Sequence, residues 1–189
     1  MIKSTVRKEF LQRRMDIQEE DLQQQTALLA FNFKKVMLPP VRYLLSYDAL
    51  ASRREFDVSV CEEILKEQNP VMRVAWPKIH VDMLDMEAGL VEKDGLFIKN
   101  KFNILEPISG DIVPPEQLDV IFVPLIAFDI RGYRVGYGKG YYDRYLSQCR
   151  ADAVKIGFSF FDAIEYIEDI DEFDVPLNFC ITPRRIYEF

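Results

Sequence analysis

Lys139, Arg134 and Asp143 stand in one stretch, Phe128 to Asp143, which reads FDIRGYRVGYGKGYYD and holds four of the chain's eight glycines, Gly132, Gly136, Gly138 and Gly140. The two cations are side chains that neutralise a polyphosphate. Glycines this close together raise the entropy lost on folding, so they fit a place where the backbone must approach a ligand and turn its amides towards it. The spacing is neither a Walker A loop, because Gly140 follows Gly-Lys where Ser or Thr is needed, nor a dinucleotide fingerprint. Asp143 changes the chemistry. A carboxylate there repels a bare phosphate but fits with Mg²⁺ between them. The alternative role is to stabilise the N-terminus of its own helix.

The flanking elements decide how such a loop is held. Upstream, Leu118 to Ile126 (LDVIFVPLI) is a near-continuous apolar run, the pattern of a strand buried on both faces. Downstream, Tyr142, Tyr145, Leu146 and Cys149 have helical spacing. Buried strand, glycine-rich basic loop and helix start follow one another, an order that suits an anion. A second basic group, Lys3, Arg7, Lys8, Arg13 and Arg14, opens the chain on an expected helix over 3–14, with Val6, Phe10 and Leu11 along one side. Lys3 and Arg7 are four apart and share a face.

Asp16 and Glu19 have capping-box spacing before a second helix that turns Leu22, Leu29, Phe33 and Val36 inward and stops at Pro39-Pro40. Val41 to Tyr47 reads as a strand, a helix follows from Ser59 to Lys66, and strands are expected at Val71 to Pro77, His80 to Met86 and Leu96 to Ile98. Val154 to Phe160 and Asn178 to Thr182 complete the set, with an acidic, largely solvated segment from Asp162 to Asp174 between them. Strands alternate with helices and no linker interrupts them. The expectation is α/β: one three-layer domain over 1–189, with a mainly parallel sheet and helices on both faces.

Net charge is −7, with 49% hydrophobic and 13% aromatic residues. Such a chain can bury a core, and its charge argues against a nucleic-acid surface. Two local basic clusters in an acidic chain instead suit a small polyanion. Cys61, Cys149 and Cys180 lack paired spacing and His80 is the sole histidine, which leaves little for a zinc site or a Cys-His nucleophile. No apolar run reaches the length of a membrane span, so the expectation is no membrane partner and a cytoplasmic location.

Asp119 to Asp143, as D-x-x-x-V-P followed by AFD-x-x-G-Y-R-x-G-Y-G-K-G-Y-Y-D, resembles the signature of the 5-formyltetrahydrofolate cyclo-ligase family. Lys3 with Arg7, the E-x-D-x-S at Glu55 to Ser59, and Glu106-Pro107 match it in the same order. The resemblance implies ATP-dependent closure of 5-formyltetrahydrofolate to 5,10-methenyltetrahydrofolate, with release of ADP and phosphate. It also implies a fold of the kind shared with sugar-phosphate isomerases and CoA transferases; the chain is expected to be a monomer.

The resemblance further implies roles. Lys3, Ser4, Thr5, Val6 and Arg7 would hold ATP together with Arg134, Val135, Gly136, Tyr137, Gly138, Lys139, Gly140, Tyr141 and Tyr142. Lys139, Arg134 and Tyr142 would serve the reacting phosphoryl group. Leu50, Glu55 and Tyr142 would contact the folate. Asp143 would hold Mg²⁺, joined by Asn178, which stands where many relatives have Asp, or by Asp174. The rival reading is a nucleotide- or polyanion-binding regulator of the same fold, which has no need of Glu55 and Asp143.

Overall fold

The computed structural model describes residues 1–80, 85–90, 97–100, 105–108 and 110–189. In chain order they form α1 (Lys3–Met15), α2 (Glu19–Phe33), β1 (Tyr43–Leu45), α3 (Ser59–Gln68), β2 (Arg73–His80), β3 (Asp85–Leu90), β4 (Phe97–Lys99) and β5 (Leu105–Pro107). β6 (Ile112–Val113), β7 (Val120–Val123), β8 (Ala127–Phe128), β9 (Arg134–Val135), α4 (Tyr141–Leu146), β10 (Val154–Phe158), β11 (Phe179–Ile181) and β12 (Ile186–Glu188) follow.

The main sheet has the order β12-β11-β10-β7-β1-β2-β3-β6. Its centre, from β11 to β2, is parallel, and antiparallel strands close both edges. Every residue of β7 is fully buried, which is why its sequence is apolar without alternation. Val120 and Phe122 join the cluster under α2 and α3, whereas Ile121 and Val123 join the one that includes Tyr145 and Leu146 of α4. Helices therefore cover both faces, as the alternation of elements predicts. Truncating Phe122 to Ala would leave a cavity costing about 3–5 kcal/mol.

Several local expectations are corrected. Asp16 caps no second helix: α2 starts at Glu19 with Gln18 at its N-cap and no side-chain cap, while Asp16 ends α1 and accepts a hydrogen bond from Gln12. Val36 lies beyond the end of α2. His80 closes β2 rather than opening a strand, and the next described strand starts at Asp85. Residues 81–84 and Leu96, parts of two expected strands, lie outside the described residues. Among the described residues no helix is long and apolar enough to cross a membrane.

Candidate active site

β1 continues into β2 on one side of the sheet, while β7, β10 and β11 extend it on the other. In open α/β sheets a crevice forms beyond the carboxyl ends of the strands where the order reverses. A cavity of about 1070 Å³ lies there, lined by Tyr47 and Asp48 after β1, Pro77 and Ile79 of β2, and Pro124 after β7. Leu50, Ser52, Arg53 and Glu55 form one wall, residues 136–144 with Arg134 another, and Lys3, Arg7, Asp171, Phe173 and Asp174 the rest. That volume is at the upper end for a single small ligand.

The glycine-rich stretch is not one loop. It opens with an antiparallel ribbon of β8 and β9, and Asp129 pins the turn between them. Its Oδ1 accepts the amides of Arg131 and Tyr133 at 3.0 and 3.1 Å. Its Oδ2 accepts the Ile167 amide and the Arg131 guanidinium, the latter at 2.7 Å. Beyond β9, the amides from Gly136 to Tyr142 donate to no acceptor among the described residues. Gly138 and Gly140 have φ of +84° and +69°, a region that L side chains avoid. A Cβ on Gly138 would also crowd the Arg7 guanidinium at 3.1 Å, a contact that a small shift of that side chain would have to relieve.

α1 packs against this ribbon through Val6 and Phe10, which join Ile126, Ala127 and Val135. Of its five expected anion-binding residues, Lys3 and Arg7 line the cavity. Val6 is fully buried beneath it, and Ser4 and Thr5 are exposed elsewhere on the helix. Arg7 donates from Nε to Gly136 O at 2.8 Å, and Lys3 pairs with Asp174 at 2.5 Å. Val135 is buried and does not reach the cavity, whereas Lys139 stands at its exposed edge, its carbonyl accepting from Arg144 Nη2 at 3.1 Å and its ammonium without an ion-pair or hydrogen-bond partner among the described residues.

Arg134 is buried, donating to Val175 O at 2.6 Å and to Asp143 Oδ1 at 2.9 Å. Burial pulls its guanidinium down from the ordinary arginine range and Asp143 pushes it back. Asp143 Oδ1 also accepts the Val175 amide, while Oδ2 accepts nothing among the described residues. Asp174, next to Val175, lines the same wall. One or two carboxylates beside a polyphosphate fit Mg²⁺, which keeps several waters and seldom uses an all-protein cage. The described residues form no cluster of three or more acidic, His or Cys ligands. Asn178 is not brought to this site. Its Oδ1 accepts the Lys155 amide at 2.9 Å in the β10–β11 pairing, and it does not line the cavity.

Glu55 spans the opposite wall. Its Oε2 accepts the Leu50 amide at 2.7 Å and its Oε1 accepts a short hydrogen bond from the Tyr137 hydroxyl. Tyr142 lines the cavity with a buried hydroxyl that has no partner among the described residues. Burial first, and then the Glu55 charge, push that hydroxyl well above its ordinary range. It is therefore a neutral O–H donor. Sequence reasoning missed Arg14, Asp48, Arg53, Asp171 and Phe173. Arg14 alone left a signal, lying seven residues after Arg7 and so near the same helix face.

The chain matches the 5-formyltetrahydrofolate cyclo-ligase family over residues 1–183. It is 30% identical over 187 residues to the 5-formyltetrahydrofolate cyclo-ligase of Mycoplasma pneumoniae, covering 96% of this chain and 98% of that one. It is 33% identical over 95 residues to the same enzyme of Escherichia coli K12, covering 49% of this chain and 52% of that one. Among solved structures, Aquifex aeolicus 5,10-methenyltetrahydrofolate synthetase superposes with a TM-score of 0.78 at 30% identity, over 100% of this chain and 93% of that one.

Proposed function

The chain belongs to the 5-formyltetrahydrofolate cyclo-ligase family, and we propose that it closes 5-formyltetrahydrofolate to 5,10-methenyltetrahydrofolate with ATP and Mg²⁺. The observation that carries this reading is the pairing of two unlike walls around one cavity. One offers free backbone amides, Lys139 and the open oxygen of Asp143; the other offers Glu55 and apolar surface from Leu50, Pro77 and Ile79. The first suits a triphosphate, the second a flat heterocycle.

The formyl oxygen is a poor leaving group. Transfer of the γ-phosphoryl to it releases ADP and gives an iminium phosphate. N10 of the folate then attacks the former formyl carbon, the N10 proton is lost, and phosphate departs to leave the methenyl bridge. Such a transfer needs placement and charge neutralisation rather than a protein nucleophile. In this reading the amides of Gly136 to Tyr142 cradle the phosphates, and Lys139, with Lys3 and Arg7, balances their charge. Arg134 holds Asp143 in place, and Asp143, with Asp174 beside it, would hold Mg²⁺. Bound there, Mg²⁺ would supply positive charge against the charge that develops on the transferring phosphoryl group. The Tyr142 hydroxyl donates to the reacting oxygen, and Glu55 with the Leu50 backbone orients the pterin.

The test is absorbance. With 5-formyltetrahydrofolate, ATP and Mg²⁺ the methenyl chromophore is expected to grow in the near ultraviolet, and omitting ATP or Mg²⁺ should abolish it. Nucleotide binding by calorimetry with no chromophore under any condition would move the protein to the regulator reading.

A further inference from the structure

Arg14 is 95% withdrawn from solvent, its residue being 5% exposed, on the last turn of α1. A buried cation is costly unless it is held by acceptors. Among the described residues Arg14 has no carboxylate against it and its Nε has no partner, while Nη1 donates to Leu125 O at 3.2 Å and Nη2 donates to the Tyr137 hydroxyl oxygen at 2.7 Å. Tyr137 in turn donates its proton to Glu55 Oε1, so one phenol joins a buried guanidinium to a carboxylate of the cavity wall.

We propose that Arg14 is a positioning residue which fixes the Tyr137 hydroxyl, and through it the Glu55 carboxylate, in the orientation the folate meets. The proposal rests on the cyclo-ligase reading for the identity of that ligand. Two geometric facts carry it. A phenol oxygen accepting from a guanidinium is polarised into a better donor, and its only described acceptor is Glu55. Among the described residues the Glu55 carboxylate is otherwise held by a single contact, the Leu50 amide, on a wall whose short helical turn ends in a left-handed Arg54. Without the phenol, that carboxylate would be restrained from one side alone. Burial and Glu55 both push the Tyr137 hydroxyl upward, so it keeps its proton as the donor at physiological pH. Arg53 lies over the ring face 5.0 Å from its centroid, limiting how the ring can tilt.

The coupling is testable as a cycle. Removing one charge-assisted hydrogen bond should weaken 5-formyltetrahydrofolate binding about tenfold in Arg14→Met and likewise in Tyr137→Phe. If Arg14 acts through Tyr137, the double variant should also lose about tenfold rather than about a hundredfold, because contacts in one chain are not additive. The KM for ATP should move by less than about threefold, since the loop holds phosphate through its backbone. Calorimetry with 5-formyltetrahydrofolate alone reads the cycle without turnover. Folate binding that shows the coupling in a protein that makes no methenyl product would sink the activity and leave the coupling standing. Multiplying losses, or equal losses for ATP and folate in step with a lower Tm, would make Arg14 a packing residue and overturn the proposal. So would a wild-type protein that binds no folate. Should Arg14→Met fail to fold, Arg14→Lys keeps the charge while losing the fork and serves the same cycle.

Discussion

Asp129 and Asp143 stand fourteen positions apart in one glycine-rich stretch, each beside an arginine, and they do opposite things. Asp129 is fully buried and both of its oxygens are saturated, by three amides and the Arg131 guanidinium. Asp143 is about a quarter exposed and uses one oxygen on Arg134 and the Val175 amide, leaving the other towards the cavity. A carboxylate with every lone pair engaged is a fastener. One with an oxygen left open, beside free amides, has capacity for a ligand.

The largest test of that contrast is Asp129→Ala. It strands three amides and a guanidinium and should cost about 3–5 kcal/mol. In a chain this size that lowers Tm by more than about 6 °C. Asp143→Asn keeps an acceptor for Arg134 but removes charge, so it should lose about a hundredfold in kcat/KM, some 2.7 kcal/mol. Its Tm should fall by less than half as much as that of Asp129→Ala. Equal thermal losses would break the distinction. Next comes Lys139→Ala. With no partner to strand, it should raise the KM for ATP about tenfold and leave Tm within about 2 °C.

Glu62 gives the smallest effect and sharpens the comparison from a third side. It lies on the buried face of α3 with the Ser46 hydroxyl as its hydrogen-bond donor, and burial pushes its carboxyl upward. A raised folded value means that the native state binds the extra proton between the unfolded and folded values. Its contribution is therefore fully present below the unfolded value and is lost as pH rises through the folded one. Glu62→Gln should raise Tm at pH 7 and lose that advantage towards pH 4. A gain that is the same at both pH values would show that the carboxyl is not the titrating group.

The central sheet was legible because β7 is buried on both faces and so carries no polar residue. The short edge strands β6 and β12 were not, since runs of two and three residues are too short to show a periodic pattern. The ribbon of β8 and β9 hid inside a motif read as loop because its strands are two residues each. Spacing found Lys3 and Arg7, which do line the cavity. It could not find Arg14's task, which depends on Leu125 and Tyr137, more than a hundred residues away. Asn178 illustrates the opposite error. The resemblance, which puts Asn178 where many relatives have Asp, suggested a metal partner for Asp143, yet pairing of β10 with β11 draws its side-chain carbonyl to the Lys155 amide.

The most direct test is a Mg²⁺ titration of methenyl formation at saturating ATP and folate, in the wild type and in Asp143→Asn. Activity in the wild type should vanish without Mg²⁺, and the half-saturating concentration should rise about tenfold or more in the variant. Unchanged Mg²⁺ dependence in Asp143→Asn, or wild-type turnover in the presence of a chelator, would contradict the role given to the open oxygen of Asp143.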